Sequence, residues 1–258
     1  MKLLLSLATL IIAVTLTAQK TDTLLSGVYY WKNHEPKKGE TDIIRRILEG
    51  RTVALDHFEV HASTMEAGKI PQPSYTHIDE EELMIVKDGQ VKITIAGKSQ
   101  TLGPGSIAFV MPGDEHVVDN AGNSESTFFI LKYKAKPRPA NERTKQSRGS
   151  FMIDWNELKT SNTGKGYRRD FFNQPTSQLS QFEMHTTALN ADSVSHPPHT
   201  HVQEEIVLIL RGNVRMHIDE TYYDGSAGDL YFLSSNVPHA LKNIGKEQCE
   251  YFAFQWKN

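Results

Sequence analysis

The sequence is nearly without cysteine: it has one, Cys249, in 258 residues. A lone thiol cannot close an intramolecular disulfide, so the core alone must hold the fold. No charge sign dominates either. Lys and Arg total 28 against 31 Asp and Glu, a formal net charge of −3, which excludes the basic field that nucleic acid requires. Hydrophobic residues make up 38% of the chain, enough for a globular core and too few for a membrane protein. There is no Ser-His-Asp order, no Walker loop and no dinucleotide fingerprint. Gly103-Pro104-Gly105 is a turn before a strand rather than a phosphate cradle.

Long apolar runs are missing everywhere except the start. Met1-Lys2 precedes an apolar stretch from Leu3 to Leu16, followed by Thr17-Ala18-Gln19. That order reads as a signal peptide over residues 1–18, cleaved after Ala18. The stretch is short for a membrane span, and no cysteine adjoins the cut. The expectation is a periplasmic or secreted protein with neither a span nor a lipid anchor once cleaved. Scarce cysteine fits a bacterial periplasm. The remaining chain of about 240 residues is long enough to fold without disulfides. Cys249, beside Tyr251-Phe252-Ala253-Phe254, reads as packing rather than as a reactive thiol.

What the sequence does have is an internal repeat. Phe58-Glu59-Val60-His61 recurs as Phe182-Glu183-Met184-His185, and Tyr75-Thr76-His77 as His199-Thr200-His201. Gly89, Gly105, His116 and Asn120 recur as Gly212, Gly228, His239 and Asn243. Arg45-Arg46 is read as recurring in Arg168-Arg169, at an offset of about 123 residues. Residues 26–133 and 149–256 are therefore two copies of one domain. Residues 134–148, polar, basic and carrying two prolines, read as a linker. Each copy is a series of short strands between Gly, Pro and Asn turns, among them Val91–Ile95, Ile107–Val110, Ile206–Leu210 and Val214–Ile218. The fold class is all-β, a jelly roll or barrel in each copy. Asp154–Lys159 is compatible with one short helical turn. Alternation places Val214, Met216 and Ile218 on one face and His217 on the other, outside any site.

The chemistry concentrates in the second copy. His199 and His201 lie two apart on an extended strand, hence on one side, and Glu205 follows four residues later. His239 comes after a strand-and-turn pattern able to bring it alongside. Three imidazoles and one carboxylate suit a single divalent transition metal: Mn, Fe, Ni, Cu or Zn. In the first copy Tyr75 stands where His199 would be, while His77, Glu82 and His116 persist. Glu81 rivals Glu82, but the strand that follows aligns better with Glu82. Two histidines and a carboxylate can hold iron or manganese, with Tyr75 as a further phenolate ligand. The alternative is a site that has become structural.

These residues resemble the cupin superfamily. Its first motif, His-x-His, three residues, Glu, six residues, Gly, is matched by His199, His201, Glu205 and Gly212. Its second is matched in spacing by Gly228, Ser234, Asn236, His239 and Asn243, with Ser and Asn replacing the usual Pro and Gly at turn positions. The resemblance covers nearly the whole mature chain as a two-domain bicupin. It implies two tandem jelly-roll β-barrels, with His199, His201, Glu205 and His239 as metal ligands. One or two coordination positions would stay open for water, O₂ or substrate. Thr200–Glu204 is locally similar to (S)-ureidoglycine aminohydrolases, manganese enzymes with a Glu/His/His/Gln ligand set. Only His201 matches that set; His199, Glu205 and His239 depart from it.

A metal so held supports either redox chemistry, as in a dioxygenase, oxidase or decarboxylase, or carbonyl polarisation, as in an isomerase, lyase or hydrolase. The sequence leaves both open, and also a non-catalytic metal- or ligand-binding protein. The expected partner is a small polar acid or sugar-like metabolite, with a homo-oligomer open and nucleic acid excluded. If Arg168 and Arg169 lie on a strand, one of them faces inward, where it can fork onto a substrate carboxylate or pair with Glu183.

Overall fold

The computed structural model describes residues 22–39, 41–68, 73–137 and 149–258. The expected signal peptide lies outside them, as does most of the expected linker. The first half of the chain forms β1 (Gly27–Tyr29), β2 (Lys37–Lys38), β3 (Ile43–Gly50), β4 (Leu55–Met65), β5 (Glu81–Asp88), β6 (Val91–Ile95), β7 (Lys98–Leu102), β8 (Ile107–Val110), β9 (His116–Asn120) and β10 (Ser126–Ala135). The second half repeats the plan with β11 (Phe151–Ile153), β12 (Ser161–Asn162), β13 (Gly166–Gln174), β14 (Gln181–Leu189), β15 (Glu204–Arg211), β16 (Asn213–Ile218), β17 (Thr221–Ser226), β18 (Leu230–Leu233), β19 (His239–Asn243) and β20 (Cys249–Lys257). The short helical piece expected near Asp154 is one 3-10 turn, Trp155–Glu157, capped by the Asp154 side chain accepting from Asn156 N. No helix among the described residues is long and apolar enough to cross a membrane.

Each half pairs a seven-stranded sheet with a three-stranded one. The large sheets run β11-β8-β5-β10-β4-β3-β2 and β1-β18-β15-β20-β14-β13-β12; the small ones run β7-β6-β9 and β17-β16-β19. Apolar side chains divide three ways as a result. One cluster fills the first barrel around Met84, Val91, Ile93 and Phe128. A second fills the other barrel around Val207, Val214, Met216 and Tyr251. The third, with Phe58, Phe109, Phe129, Phe182, Phe254 and Trp256, joins residues of both large sheets. Strands such as β5 and β15 are therefore apolar on both faces (six consecutive buried residues each), as expected of strands covered on both sides. Cys249 is fully buried within the second barrel's cluster.

The sequence copies and the sheets differ by one strand. β1, at the start of the first copy, pairs antiparallel with β18 of the second, Val28 opposite Tyr231. β11, at the start of the second copy, pairs with β8 of the first, Met152 opposite Ala108. The exchange is locked by tryptophans. Trp31 N donates to Asp229 Oδ1 at 2.8 Å, and Trp155 N donates to Ser106 Oγ at 3.0 Å. Each indole lies on a glycine with left-handed φ: a Cβ on Gly228 (φ +91°) would meet Trp31 at 3.3 Å, and one on Gly105 (φ +84°) would meet Trp155 at 2.4 Å. Here glycine is required both by backbone conformation and by close approach. An arginine covers each indole, Arg45 over Trp31 at 4.3 Å and Arg169 over Trp155 at 4.2 Å.

That pairing corrects the alignment of the double arginines. Arg45 lies opposite Ala62 and Arg46 opposite His61, whereas Arg169 lies opposite Thr186 and Asp170 opposite His185. Since His61 repeats as His185, Arg45 corresponds to Arg169, and Arg168 corresponds to Ile44. The matching Arg-Arg dipeptides are one residue out of structural register.

Candidate metal centre

Local backbone pairing assembles the four candidate ligands of the second barrel. His199 and His239 form an isolated antiparallel bridge, with His199 N to His239 O at 3.2 Å and His239 N to His199 O at 3.0 Å. Asn236 N donates to His201 O at 2.8 Å, fixing the second ligand to the turn before β19. Asn236 has φ +61°, the left-handed conformation Asn tolerates better than most residues, so it serves where the usual motif has glycine. The motif's last residue, Asn243, is buried and donates to Leu189 O, Asn190 O and Glu247 O. It staples two loops and is not a ligand.

His199, His201 and His239 each bring a ring nitrogen within 4.8 Å of the others, in an arrangement that can hold a metal ion. Glu205 Oε2 lies 3.1 Å from His201 Nε2 and 3.3 Å from His239 Nε2. His201 Nδ1 donates to Gln203 O, and His239 Nδ1 to Val237 O, both at 2.9 Å. Each Nε2 is thereby aimed inward, the backbone-oriented arrangement typical of metal-ligating imidazoles. His239 Nε2 is buried without a hydrogen-bond partner, a polar orphan that a coordinated ion would satisfy. Gln255 Nε2 donates to Glu205 Oε2 at 3.3 Å.

The electrostatics agree with a cation site. Burial pushes the Glu205 carboxyl up, but the adjacent imidazoles of His201 and His239 outweigh it and hold the group at about 2. Donating to the Glu205 carboxylate raises His201. Burial, followed by the neighbouring His196 and His239, lowers His199. At neutral pH the carboxylate is ionised and His199 neutral, as coordination requires.

The first barrel repeats the geometry with one change. Tyr75 and His116 form the equivalent bridge, and Gly113 N donates to His77 O at 2.8 Å. His77, Glu82 and His116 cluster as a possible ion site, with His77 Nε2 2.9 Å and His116 Nε2 3.5 Å from Glu82. His116 Nε2 is likewise an orphan. Burial raises Glu82, but His116 and His77 bring it down to about 2. The Tyr75 hydroxyl lies 3.5 Å from Glu82. Burial and the Glu82 charge raise the phenol far above its usual range, so before any ion binds it is a neutral hydroxyl. Glu81 points elsewhere, accepting from Tyr133 Oη and from Ser177 Oγ.

A cavity of about 400 Å³ opens over the second cluster, lined among others by His199, Glu205 and His239. Arg168 and Lys165 line it as well. Arg168 Nε donates to Asp170 at 2.5 Å and Nη2 to Glu183 at 2.7 Å. Arg169 does not line it; its Nη1 donates to Glu250 at 2.8 Å. Of the two candidate arginines, only Arg168 faces the site. His217 stacks on Tyr222, away from the ligands. The first barrel's cavity, about 230 Å³, has Ile44 where Arg168 would be.

Sequence reasoning missed Lys165 and His196, whose ring lies 4.0 Å from that of His199. It also missed the role of the other half of each Glu-Glu pair. Glu204 accepts from Thr52 Oγ1 at 2.6 Å, from Val53 N and Ala54 N at 2.9 Å, and from Trp256 Nε1 at 3.2 Å. One buried carboxylate thus ties a first-half loop to the second barrel. The repetition of Glu-Glu in both copies was the available signal.

Solved structures similar to this chain share its two-barrel fold. AerE from Microcystis aeruginosa is 16% identical, with a TM-score of 0.68 over 87% of this chain and 97% of that one. The formate complex of Lactobacillus farciminis oxalate decarboxylase is 14% identical, with a TM-score of 0.67 over 93% and 88%. Bacillus subtilis oxalate decarboxylase, whose Mn(II) centres have been studied, is 13% identical, with a TM-score of 0.68 over 93% and 80%. No curated protein sequence matches the chain. The profile described as Cupin domain matches twice, at residues 61–131 and 186–254, and these segments contain both ligand clusters. With a ligand cluster in each of two tandem barrels, this chain belongs to the cupin family.

Proposed function

We propose that the second barrel is the active centre of a metal-dependent enzyme acting on a small carboxylate-bearing metabolite. The observation that carries this is the shared cavity: His199, Glu205 and His239 line it together with Arg168 and Lys165. A divalent transition metal there supplies Lewis-acid polarisation or, if redox-active, electron transfer. His199, His201, Glu205 and His239 would hold it. The donor set admits Mn, Fe, Ni, Cu or Zn. Manganese is placed first because of the Mn(II) centres named for the similar Bacillus subtilis decarboxylase.

The chain's own residues do the rest. Arg168 is steadied by Asp170 and Glu183 through Nε and Nη2, leaving Nη1 to meet a carboxylate oxygen. Lys165 Nζ, held by Val194 O at 2.9 Å, adds a second cation at the mouth. Val207, Met216, Leu241 and Ala253 form an apolar floor that limits water around the reacting group. The leader-like residues 1–18 support export, so a periplasmic or extracellular setting is proposed for this activity.

The test is turnover by protein purified from its exporting host. A panel of small carboxylic acids, phenols and sugar acids, with O₂ uptake monitored, should yield an activity that His201→Ala/His239→Ala abolishes. Silence across the panel with tight, reversible ligand binding would instead identify a non-catalytic binder.

A further inference from the structure

The second cavity contains a titratable group that metal binding does not use. His185 lies on β14 and lines the cavity beside Arg168 and Thr187. Glu183, two residues earlier on the same strand face, accepts from His185 Nδ1 at 2.8 Å. The same oxygen, Glu183 Oε1, accepts from Arg168 Nη2 at 2.7 Å. An imidazole whose Nδ1–H is given to a carboxylate is fixed in the tautomer that leaves Nε2 as its free, basic nitrogen. The ring is only about one-tenth exposed, so the cavity is where that nitrogen can find a partner.

We propose that Glu183 and His185 form the acid–base dyad of this cavity, exchanging a proton between His185 Nε2 and the bound ligand. The inference rests on the carboxylate reading above. His185 is the catalytic residue and Glu183 the positioning residue. The ligand's O–H or C–H bond breaks, its electron pair stays on the ligand, and the proton passes to Nε2. The resulting imidazolium is stabilised by Glu183, and the proton returns to product by the reverse step. No oxidant is consumed.

The surroundings favour such an exchange. Arg168 and Asp170 on β13 face His185 from one side, with Asp170 directly opposite in register. On the other side β20 presents uncharged Ala253, flanked by Tyr251 and Gln255. Across the cavity stand Lys165, His196 and Glu205. In the first barrel the equivalent carboxylate, Glu59, is met by Arg46 at 3.3 Å and Lys132 at 3.4 Å. His61 Nδ1 also lies 2.7 Å from Glu59 Oε1, so the imidazole–carboxylate pair recurs in both barrels. The second barrel differs in that the arginine sharing the carboxylate, Arg168, itself lines the cavity.

The experiment is calorimetric binding of oxalate to the full metal-loaded protein in buffers of different ionisation enthalpy, which counts protons taken up per oxalate. An anion bound beside Nε2 favours its protonated form, so binding and protonation are linked. The wild type should take up protons near neutral pH. His185→Gln should lose that uptake while keeping its metal and binding oxalate within about tenfold of wild type. Glu183→Gln, which keeps the side-chain shape, should at least halve the uptake and shift the histidine's ring-nitrogen NMR signals towards the other tautomer. Unchanged uptake in His185→Gln would overturn the dyad while leaving the carboxylate reading intact. No oxalate binding by the wild type, together with full metal content, would overturn both.

Discussion

The two barrels share strand order and backbone pairings yet differ in their cavities, most consequentially at Tyr75 against His199, Ile44 against Arg168, and Lys132 against Gln255. The framework that brings the ligands together is unchanged. Both bridges form, both carboxylates are buried beside two imidazoles, and both are held at about 2. What the first barrel lacks is the third nitrogen ligand and the inward arginine. Ligand convergence is therefore a property of the fold, whereas substrate handling is a property of a few side chains at the mouth.

The comparison can be broken first at the joint between the barrels. Glu204→Ala should destabilise the protein by about 3 kcal/mol, because four buried or half-buried donors lose their acceptor. Urea denaturation checks this; a loss below about 1 kcal/mol would mean the loop is held by other contacts. Next comes the arginine. Arg168→Ile gives the second cavity the first cavity's residue and should weaken binding of a small carboxylate by about 10–100-fold with metal content unchanged. Calorimetry with oxalate reads this directly, and unchanged affinity would remove Arg168 from the site. Smaller still is the contrast at the exchanged tryptophans. Gly105→Ala should cost about 1–3 kcal/mol and more than Gly228→Ala, because its Cβ meets the indole at 2.4 rather than 3.3 Å. Equal melting temperatures for the two variants would contradict that.

The pH dependence of the ion-free protein follows from signs alone. Glu82 and Glu205 are lowered from 4.5 to about 2, so their stabilisation is present above 4.5 and lost as pH falls towards 2. His201 is raised from 6.5, so its contribution is full below 6.5 and lost as pH rises through the higher folded value. The combined contribution of these three groups should be greatest between about 4.5 and 6.5 in the chelated protein, while the lowered His199 works against it as pH falls below 6.5. Metal loading should flatten the alkaline side, since coordination favours neutral imidazole. A chelated protein most stable above pH 8 would contradict the pairing described.

Much of this was legible in the sequence, for identifiable reasons. Val91–Ile95 and Ile107–Val110 appear with the expected bounds, because Gly turns flank both, the first alternating and the second a short wholly apolar run. The ligands were legible because fixed spacing on a strand fixes their side. The strand exchange was not: β1 is three residues long, and its partner lies some 200 residues away, which no local pattern encodes. The arginine register failed because the dipeptides match at an offset of 123 residues, whereas this part of the repeat runs at 124, as from His61 to His185. A one-residue difference in a strand puts a side chain on the opposite face. Arg168 therefore looked like a repeated structural feature when it is peculiar to one cavity.

The most direct test of the central claim is metal content per chain, measured by elemental analysis on the wild type, His201→Ala/His239→Ala and Tyr75→His. The account predicts that the double variant loses the second-barrel ion and that Tyr75→His, which rebuilds the four-ligand set, raises first-barrel occupancy. Full stoichiometric metal in the double variant would contradict it.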